Sequence, residues 1–263
     1  MNIPELLKGA TICSSKGGWL LISKGNKCFF FYNPFTRATI QFPDLPDDKC
    51  VVYSVMSFSS VPTSSDCSVF AISAFFTEEV LILSIKRGDE SWTINMLDNV
   101  YVPPNRKDVS FKLSLNNPVF CQGAFYCLDC NGTLGVYDLN GFSWEILVKV
   151  PPPNCNFIYK RFLVECGGEL LSVYLCNFGE WVRVFRLGMP ESVWMEVKHL
   201  GKHMLCISTA SCISALAPNC RMENKIYFPR LHNGEILYYS LETGTYNSLS
   251  SSSPADFYDS QST

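Results

Sequence analysis

The sequence predicts an all-β chain assembled from repeated four-stranded units, the arrangement of a β-propeller, and three observations carry that prediction. Residues 123–150 read as three strands joined by two tight turns, because Asn131-Gly132 and Asn140-Gly141 each offer the two positive-φ positions of a type I′ hairpin. Beyond the second turn, Trp144, Ile146, Val148 and Val150 fall on one face and Ser143, Glu145 and Lys149 on the other, the alternation of a half-buried strand. The residue opening that strand then has counterparts along the chain. They are Thr39, Trp92, Trp144, Trp194 and Tyr246, at separations of 53, 52, 50 and 52 residues. No capped amphipathic run and no sustained 3.6-residue period predicts a long helix.

A period near 50 is that of kelch-type blades, so the predicted fold is a kelch-like β-propeller with about five recognisable four-stranded blades. A single domain over residues 1–250 is expected, with blades at about 10–43, 51–98, 108–150, 158–198 and 206–250. First strands read Thr11–Ser14, Ser54–Phe58, Val119–Cys121, Phe162–Cys166 and Cys212–Leu216. Second strands read Trp19–Ser23, Val69–Phe75, Phe125–Cys130, Leu170–Cys176 and Lys225–Arg230, and third strands Phe29–Asn33, Val80–Ile85, Leu134–Leu139, Trp181–Leu187 and Ile236–Leu241. The anchors open the fourth strands, where regular recurrence assigns them to packing between blades rather than to a site. Glycines mark several turns between first and second strands, at Gly17-Gly18, Gly123 and Gly167-Gly168. The segments 44–49, 99–107 and 150–156 carry proline-rich turns, whose prolines cannot donate to a ladder, and belong between blades. Ile3-Pro-Glu-Leu-Leu7 resembles the end of a further fourth strand. It either closes the ring or is the sixth-blade stub of an incomplete one. The Ser-rich residues 251–263 read as a mobile tail.

With 263 residues, 47% apolar and 17% charged, the chain has ample material for a core. A net charge of −3 and no basic run longer than Lys160-Arg161 disfavour a nucleic-acid surface. Apolar runs such as 69–76 and 80–85 are less than half a bilayer span, so no membrane partner is expected. Thirteen cysteines are scattered through apolar strands, where a reduced thiol acts as a small hydrophobe. Residues 1–8 lack a signal-peptide pattern, and a cytoplasmic or nuclear location follows.

Catalytic and metal motifs are weak. Cys127-Leu-Asp-Cys130 is a CxxC, but on a strand positions i and i+3 point to opposite faces and no second CxxC stands at finger spacing. His199-Leu-Gly-Lys-His203 with Cys206 could converge on a metal only as a helix, against which Gly201 argues; solvated loop histidines are the expectation. No nucleophile elbow or phosphate loop is present, Ser14-Ser-Lys-Gly-Gly18 included. No cofactor, metal or catalytic residue is assigned, and the chain is read as a non-enzyme.

Gly17-Gly-Trp-Leu-Leu-Ile-Ser23, followed by Phe29-Phe-Phe-Tyr-Asn-Pro-Phe-Thr-Arg-Ala-Thr-Ile-Gln-Phe-Pro43, resembles the signature of plant F-box-associated domains, which F-box/kelch-repeat proteins carry. The third repeat, from Gln122-Gly-Ala-Phe-Tyr to Trp144, is similar to their recurrent pattern, and the resemblance covers about residues 5–249. Within the Asn-Pro-Phe-Thr turn, Asn33 can bond back to the backbone, Pro34 fixes φ and Thr36 can cap the return. The resemblance implies a protein-recognition propeller, the substrate receptor of a cullin-type ubiquitin ligase. No helical F-box precedes it here, so a Skp-like adaptor is not expected to bind directly. An F-box-less decoy or scaffold is one alternative, and a small-molecule-binding or enzymatic propeller using its channel mouth is another.

Recognition of an unknown target protein is assigned to loops on one rim, those between blades and those joining second to third strands. The candidates are Arg106, Lys107, Tyr159, Lys160, Arg161, Trp181 and His232. Trp and Arg most often anchor interfaces. The competing expectation for Trp181 is that it starts its strand and packs inward.

Overall fold

A computed structural model describes residues 7–25, 27–45, 55–73, 78–101, 109–114, 116–130, 132–147, 158–177, 180–188, 193–208, 211–232 and 235–249. Among these there is no α-helix, and the fold is a five-bladed β-propeller whose sheets are antiparallel apart from one parallel pairing in the fifth. The chain divides into two compact units, Met1–Val148 and Lys149–Thr263. Most of the stub at residues 3–7, most of the proline-rich links, and residues 251–263 lie outside the described residues.

The first unit holds three blades. The first sheet runs β1 (Ala10–Lys16), β2 (Trp19–Lys24), β3 (Cys28–Tyr32), β4 (Thr39–Gln41); the second runs β5 (Val55–Phe58), β6 (Ser68–Ser73), β7 (Glu79–Lys86), β8 (Thr93–Asp98). A two-stranded sheet, β9 (Val100–Tyr101) with β10 (Val109–Ser110), follows where only an irregular link was expected. Buried Asn99 holds this link, its amide donating to the Phe111 carbonyl at 3.0 Å. The third sheet runs β11 (Val119–Cys121), β12 (Ala124–Leu128), β13 (Leu134–Asp138), β14 (Ser143–Leu147).

The second unit holds two. The fourth sheet runs β15 (Ile158–Cys166), β16 (Glu169–Cys176), β17 (Trp181–Gly188), β18 (Val193–Val197). The fifth contains β19 (His203–Ile207), β20 (Cys212–Leu216), β21 (Lys225–His232), β22 (Glu235–Ser240) and β23 (Thr245–Leu249), in the order β20-β19-β21-β22-β23. The expected first strand, β20, is therefore the edge of a five-stranded sheet. The added strand β19 lies between it and β21, which it pairs in parallel at Leu205–Ile226 and Cys206–Tyr227. Pro229 sits in a central strand, yet it breaks no ladder: the β19 pairing ends before it, and the β21–β22 register shifts between Phe228 and Leu231.

The period of two decides the core. Along β6, Val69 and Ala71 enter the core shared by the first and second sheets, while Phe70 and Ile72 enter the core shared by the second and third. The same sorting sends Leu83 and Ile85 of β7 one way and Val80 and Ile82 the other. Strands covered on both faces thus read as unbroken apolar runs. In the second unit, Val164, Val173 and Val184 meet Leu205, Ile207 and Ile226 between the fourth and fifth sheets.

The turns differ from expectation. Type I′ geometry belongs to the two-residue loops between first and second strands, at Gly17-Gly18 (φ 56 and 78), Gln122-Gly123 (49 and 88) and Gly167-Gly168 (61 and 85). At 138–143 the flanking pair is Asp138–Ser143, which leaves a four-residue loop. The Asp138 carboxylate accepts from the N–H groups of Asn140 (3.0 Å) and Gly141 (3.3 Å), and the left-handed residue is Phe142, at φ 51. Asn131 lies outside the described residues, but its neighbour Gly132 is at φ 94. Buried Asp129 closes that turn by accepting from the Thr133 N–H at 3.1 Å. The Asn-Pro-Phe-Thr turn forms through its asparagine, whose side-chain oxygen accepts from Phe35 (2.9 Å) and Thr36 (3.1 Å).

Burial pushes the Cys127 thiol well above its ordinary value of 9.0. A thiol that titrates near 9 in the unfolded chain and far higher in the folded one favours folding at every pH below about 9. Above that pH the contribution falls by ~1.4 kcal/mol per pH unit. Urea unfolding from pH 7 to 11 should therefore show stability declining above pH 9, and Cys127→Ala should make the decline shallower. An identical slope in the variant would contradict this assignment.

Candidate functional site

Four of the seven sequence candidates, Tyr159, Lys160, Arg161 and Trp181, lie on the fourth sheet, towards one end of it. Ile158 pairs with Cys176 and Cys176 with Trp181, so the start of β15 and the β16–β17 turn are adjacent. Arg161 pairs with Tyr174, and Tyr174 with Arg183. Alternation puts Arg161, Trp181 and Arg183 on one face, because Phe162, Val182 and Val184 occupy the opposite face in the core with the fifth sheet. Trp181 opens its strand, but 37% of its surface stays exposed, so it does not pack inward fully.

The guanidiniums are held in place. Arg161 lies over the buried Tyr174 ring at 5.5 Å, and Arg183 over Phe185 at 5.1 Å, both within cation–π range. Arg183 also grips Glu196 through two bonds of 2.7 and 2.8 Å, and this pair holds the Glu196 carboxyl below its ordinary value. The β16–β17 turn is tied by Asn177, at φ 46, whose amide donates to the Glu180 carboxylate. Arg161 on β15 and Trp181 on β17 thus share a face of the fourth sheet, on the two strands that flank β16.

Of the other candidates, Lys160 is half-buried and pairs with Leu175. Tyr159 is the extra residue of a bulge between the Ile158 and Lys160 pairs, and the His232 backbone closes β21 against Glu235. Arg106 and Lys107 lie outside the described residues.

The blade anchors occupy different settings. Trp92 joins the core between the first and second sheets, edge-on to Phe29 at 5.4 Å, and its indole N–H donates to the Pro43 carbonyl at 2.7 Å. Trp144 and Tyr246 pack against the cores of the second and third and of the fourth and fifth sheets, and Trp194 is buried. Thr39 departs from the pattern: it is exposed, and Ile40 and Phe42 beside it pack on the core instead.

Among the described residues no group of three or more His, Cys, Asp or Glu could hold a metal. Cys127 is buried, whereas Cys130 is exposed beyond the strand end. His199 is an exposed loop residue, as expected, whereas His203 is half-buried in a strand. His203 opens β19 and its Nδ1 lies 3.3 Å from the Leu200 carbonyl; His199 Nδ1 lies 3.2 Å from the Asn224 amide, and Asn224 in turn accepts from the Leu200 N–H. No described helix is long and apolar enough to cross a membrane.

Sequence reasoning passed over a second feature, a cleft of about 360 Å³ between the second and third sheets, at the end that carries the turns from first to second and from third to fourth strands. Asp66, Lys86 and Asp89 line it from the second sheet, and Phe120, Leu139 and Phe142 from the third. A signal was present, since Phe142 stands one residue past the Asn-Gly pair of a turn.

Residues 1–247 match the KIB1-4 beta-propeller family along nearly the whole chain. The chain belongs to that family. Among curated relatives, an F-box/kelch-repeat protein of Arabidopsis thaliana is 31% identical over 255 residues, covering 94% of this chain and 69% of the relative. An F-box protein of the same plant is 30% identical, covering 87% of this chain and 46% of its own length. The Arabidopsis F-box protein KIB4 is 23% identical, covering 82% and 59%. This KIB1-4 propeller thus spans between about half and two thirds of the length of these relatives. Among solved structures, an oligogalacturonate lyase aligns over 92% of this chain and 64% of that chain at 9% identity, with a TM-score of 0.48. The Cps50 (Swd1) β-propeller domain of Myceliophteria thermophila aligns over 92% and 85% at 9% identity, with a TM-score of 0.44.

Proposed function

We propose that this propeller is the target-recognition part of a plant F-box protein, binding a protein partner without chemistry of its own, while ubiquitin transfer is the work of other subunits of a cullin-type ligase. Membership of a family whose relatives are F-box proteins supports the class. The observation that carries the choice of surface is the exposed Trp181 on the same face as Arg161, towards the same end of the fourth sheet. Tyr159, Lys160, His232, Arg106 and Lys107 are further partner-binding residues in this proposal on the strength of the sequence alone. The protein works inside the cell, in the cytoplasm or nucleus, where its cysteines stay reduced.

The test is capture of partners from proteasome-inhibited plant tissue by the wild-type chain and by a Trp181→Ala/Arg161→Ala variant. Loss of an interface Trp and Arg together should weaken binding by ~100-fold or more, with the unfolding midpoint changed by only a few degrees. A partner retained equally by both proteins would overturn the choice of surface. Capture of no partner by either protein would overturn the recognition reading itself.

A further inference from the structure

We propose that the cleft between the second and third sheets is a docking site for an extended segment of a partner protein, one that carries an aromatic or aliphatic side chain next to a lysine or arginine. This rests on the recognition reading above but uses different residues, at the end of the second and third sheets that carries their turns from first to second and from third to fourth strands. Three observations carry it.

The first is the geometry of Phe142. Its φ of 51 is uncommon for a bulky residue and stores backbone strain. The equivalent turn of the fifth sheet, between Ser240 and Thr245, gives the same left-handed position to Gly244, at φ 67. The third blade therefore keeps a phenylalanine where glycine makes the turn without strain. Burial does not compensate, since 51% of Phe142 remains exposed at the mouth of the cleft.

The second observation is the division of the walls. Phe120, Leu139 and Phe142 make one side apolar, while Asp66, Lys86 and Asp89 make the other charged. A volume of about 360 Å³ suits a large side chain with its flanking backbone.

The third is the charge balance. Lys86 pairs with Asp66 at 3.3 Å, and among the described residues the Asp89 carboxylate accepts from the Lys86 backbone N–H at 2.9 Å and makes no ion pair. The net charge of the wall is negative. It suits a cationic neighbour to the inserted side chain and opposes phosphate-bearing partners such as nucleic acid or an anionic membrane.

Selection of random peptides displayed on phage against the full chain tests the proposal. Recovered peptides should combine Phe, Tyr, Trp, Leu or Ile with an adjacent Lys or Arg. Phe142→Gly should weaken their binding by ~10-fold or more while leaving the melting temperature unchanged or raised. Asp89→Lys should shift the preference towards Asp or Glu beside the apolar residue. Trp181→Ala should leave this binding intact, which separates the cleft from the fourth-sheet surface. The proposal is overturned if no peptides are enriched, if they lack the apolar-basic pair, or if Phe142→Gly binds them as well as the wild type.

Discussion

Gly135→Ala should be among the most damaging single substitutions in this protein, lowering stability by ~3 kcal/mol through overpacking. General expectation points the other way, because replacing a glycine at ordinary φ stiffens the unfolded chain and stabilises by about 0.4–1 kcal/mol. Here sterics win. A methyl at position 135 would stand 2.0 Å from Cη2 and 2.4 Å from Cζ2 of Trp144, inside any permitted contact. A retreat of the indole would cost its packing: it lies edge-on against Phe111 at 5.2 Å and sits, partly buried, on the core between the second and third sheets. Urea unfolding measures the loss. Trp144→Leu in the Gly135→Ala background should recover part of it, with a coupling of about 1–3 kcal/mol. A Gly135→Ala protein as stable as the wild type would show that the indole does not lie on this glycine.

Phe70→Ala should cost ~3–5 kcal/mol, the range for emptying a fully buried aromatic site. Phe70 has no exposed surface; it stacks on Phe125 with centroids 4.7 Å apart and 12° between planes, and tilts against Tyr137 at 5.3 Å. These rings come from two different sheets, so the cavity would open where the second and third blades meet. Against a total stability of about 5–15 kcal/mol for a typical protein, that loss is a large fraction. Phe35→Ala is the matched control. At 84% exposure its removal should change stability by less than about 0.5 kcal/mol. Equal effects from the two substitutions would contradict the burial assigned to each.

The strands were legible to within a few residues, because a blade is built from hairpins between neighbours in sequence. The alternation that marks β14, from Ser143 to Leu147, needs nothing distant in order to be read. The Asn33 turn was legible for the same reason: its donors are two and three residues away. The left-handed residue of the 138–143 loop was misplaced, since Asn-Gly pairs favour type I′ turns only when the register leaves two residues between strands. Here the Asp138–Ser143 pair leaves four. Strand β19 was hidden by its company of histidine, glycine and cysteine, and its parallel pairing depends on a partner more than twenty residues on. At the candidate site, the neighbourhood of Trp181 and Arg161 followed from counting strands, but the Tyr174 ring under Arg161 did not.

What the sequence determined by itself is the repeated four-stranded unit, its spacing and its kinship, since local alternation, turn residues and a fifty-residue period survive without knowledge of any contact. Only the tertiary structure decided which of two cores each strand residue enters, why position 135 cannot carry a side chain, and which exposed aromatic stands over a cleft. Those outcomes depend on atoms brought together from separate strands and sheets, and shape at that range is set by packing. Phe142 shows the difference: in the sequence it is one apolar residue after a turn, and in the fold it is a strained ring left half in water beside a carboxylate-lined wall.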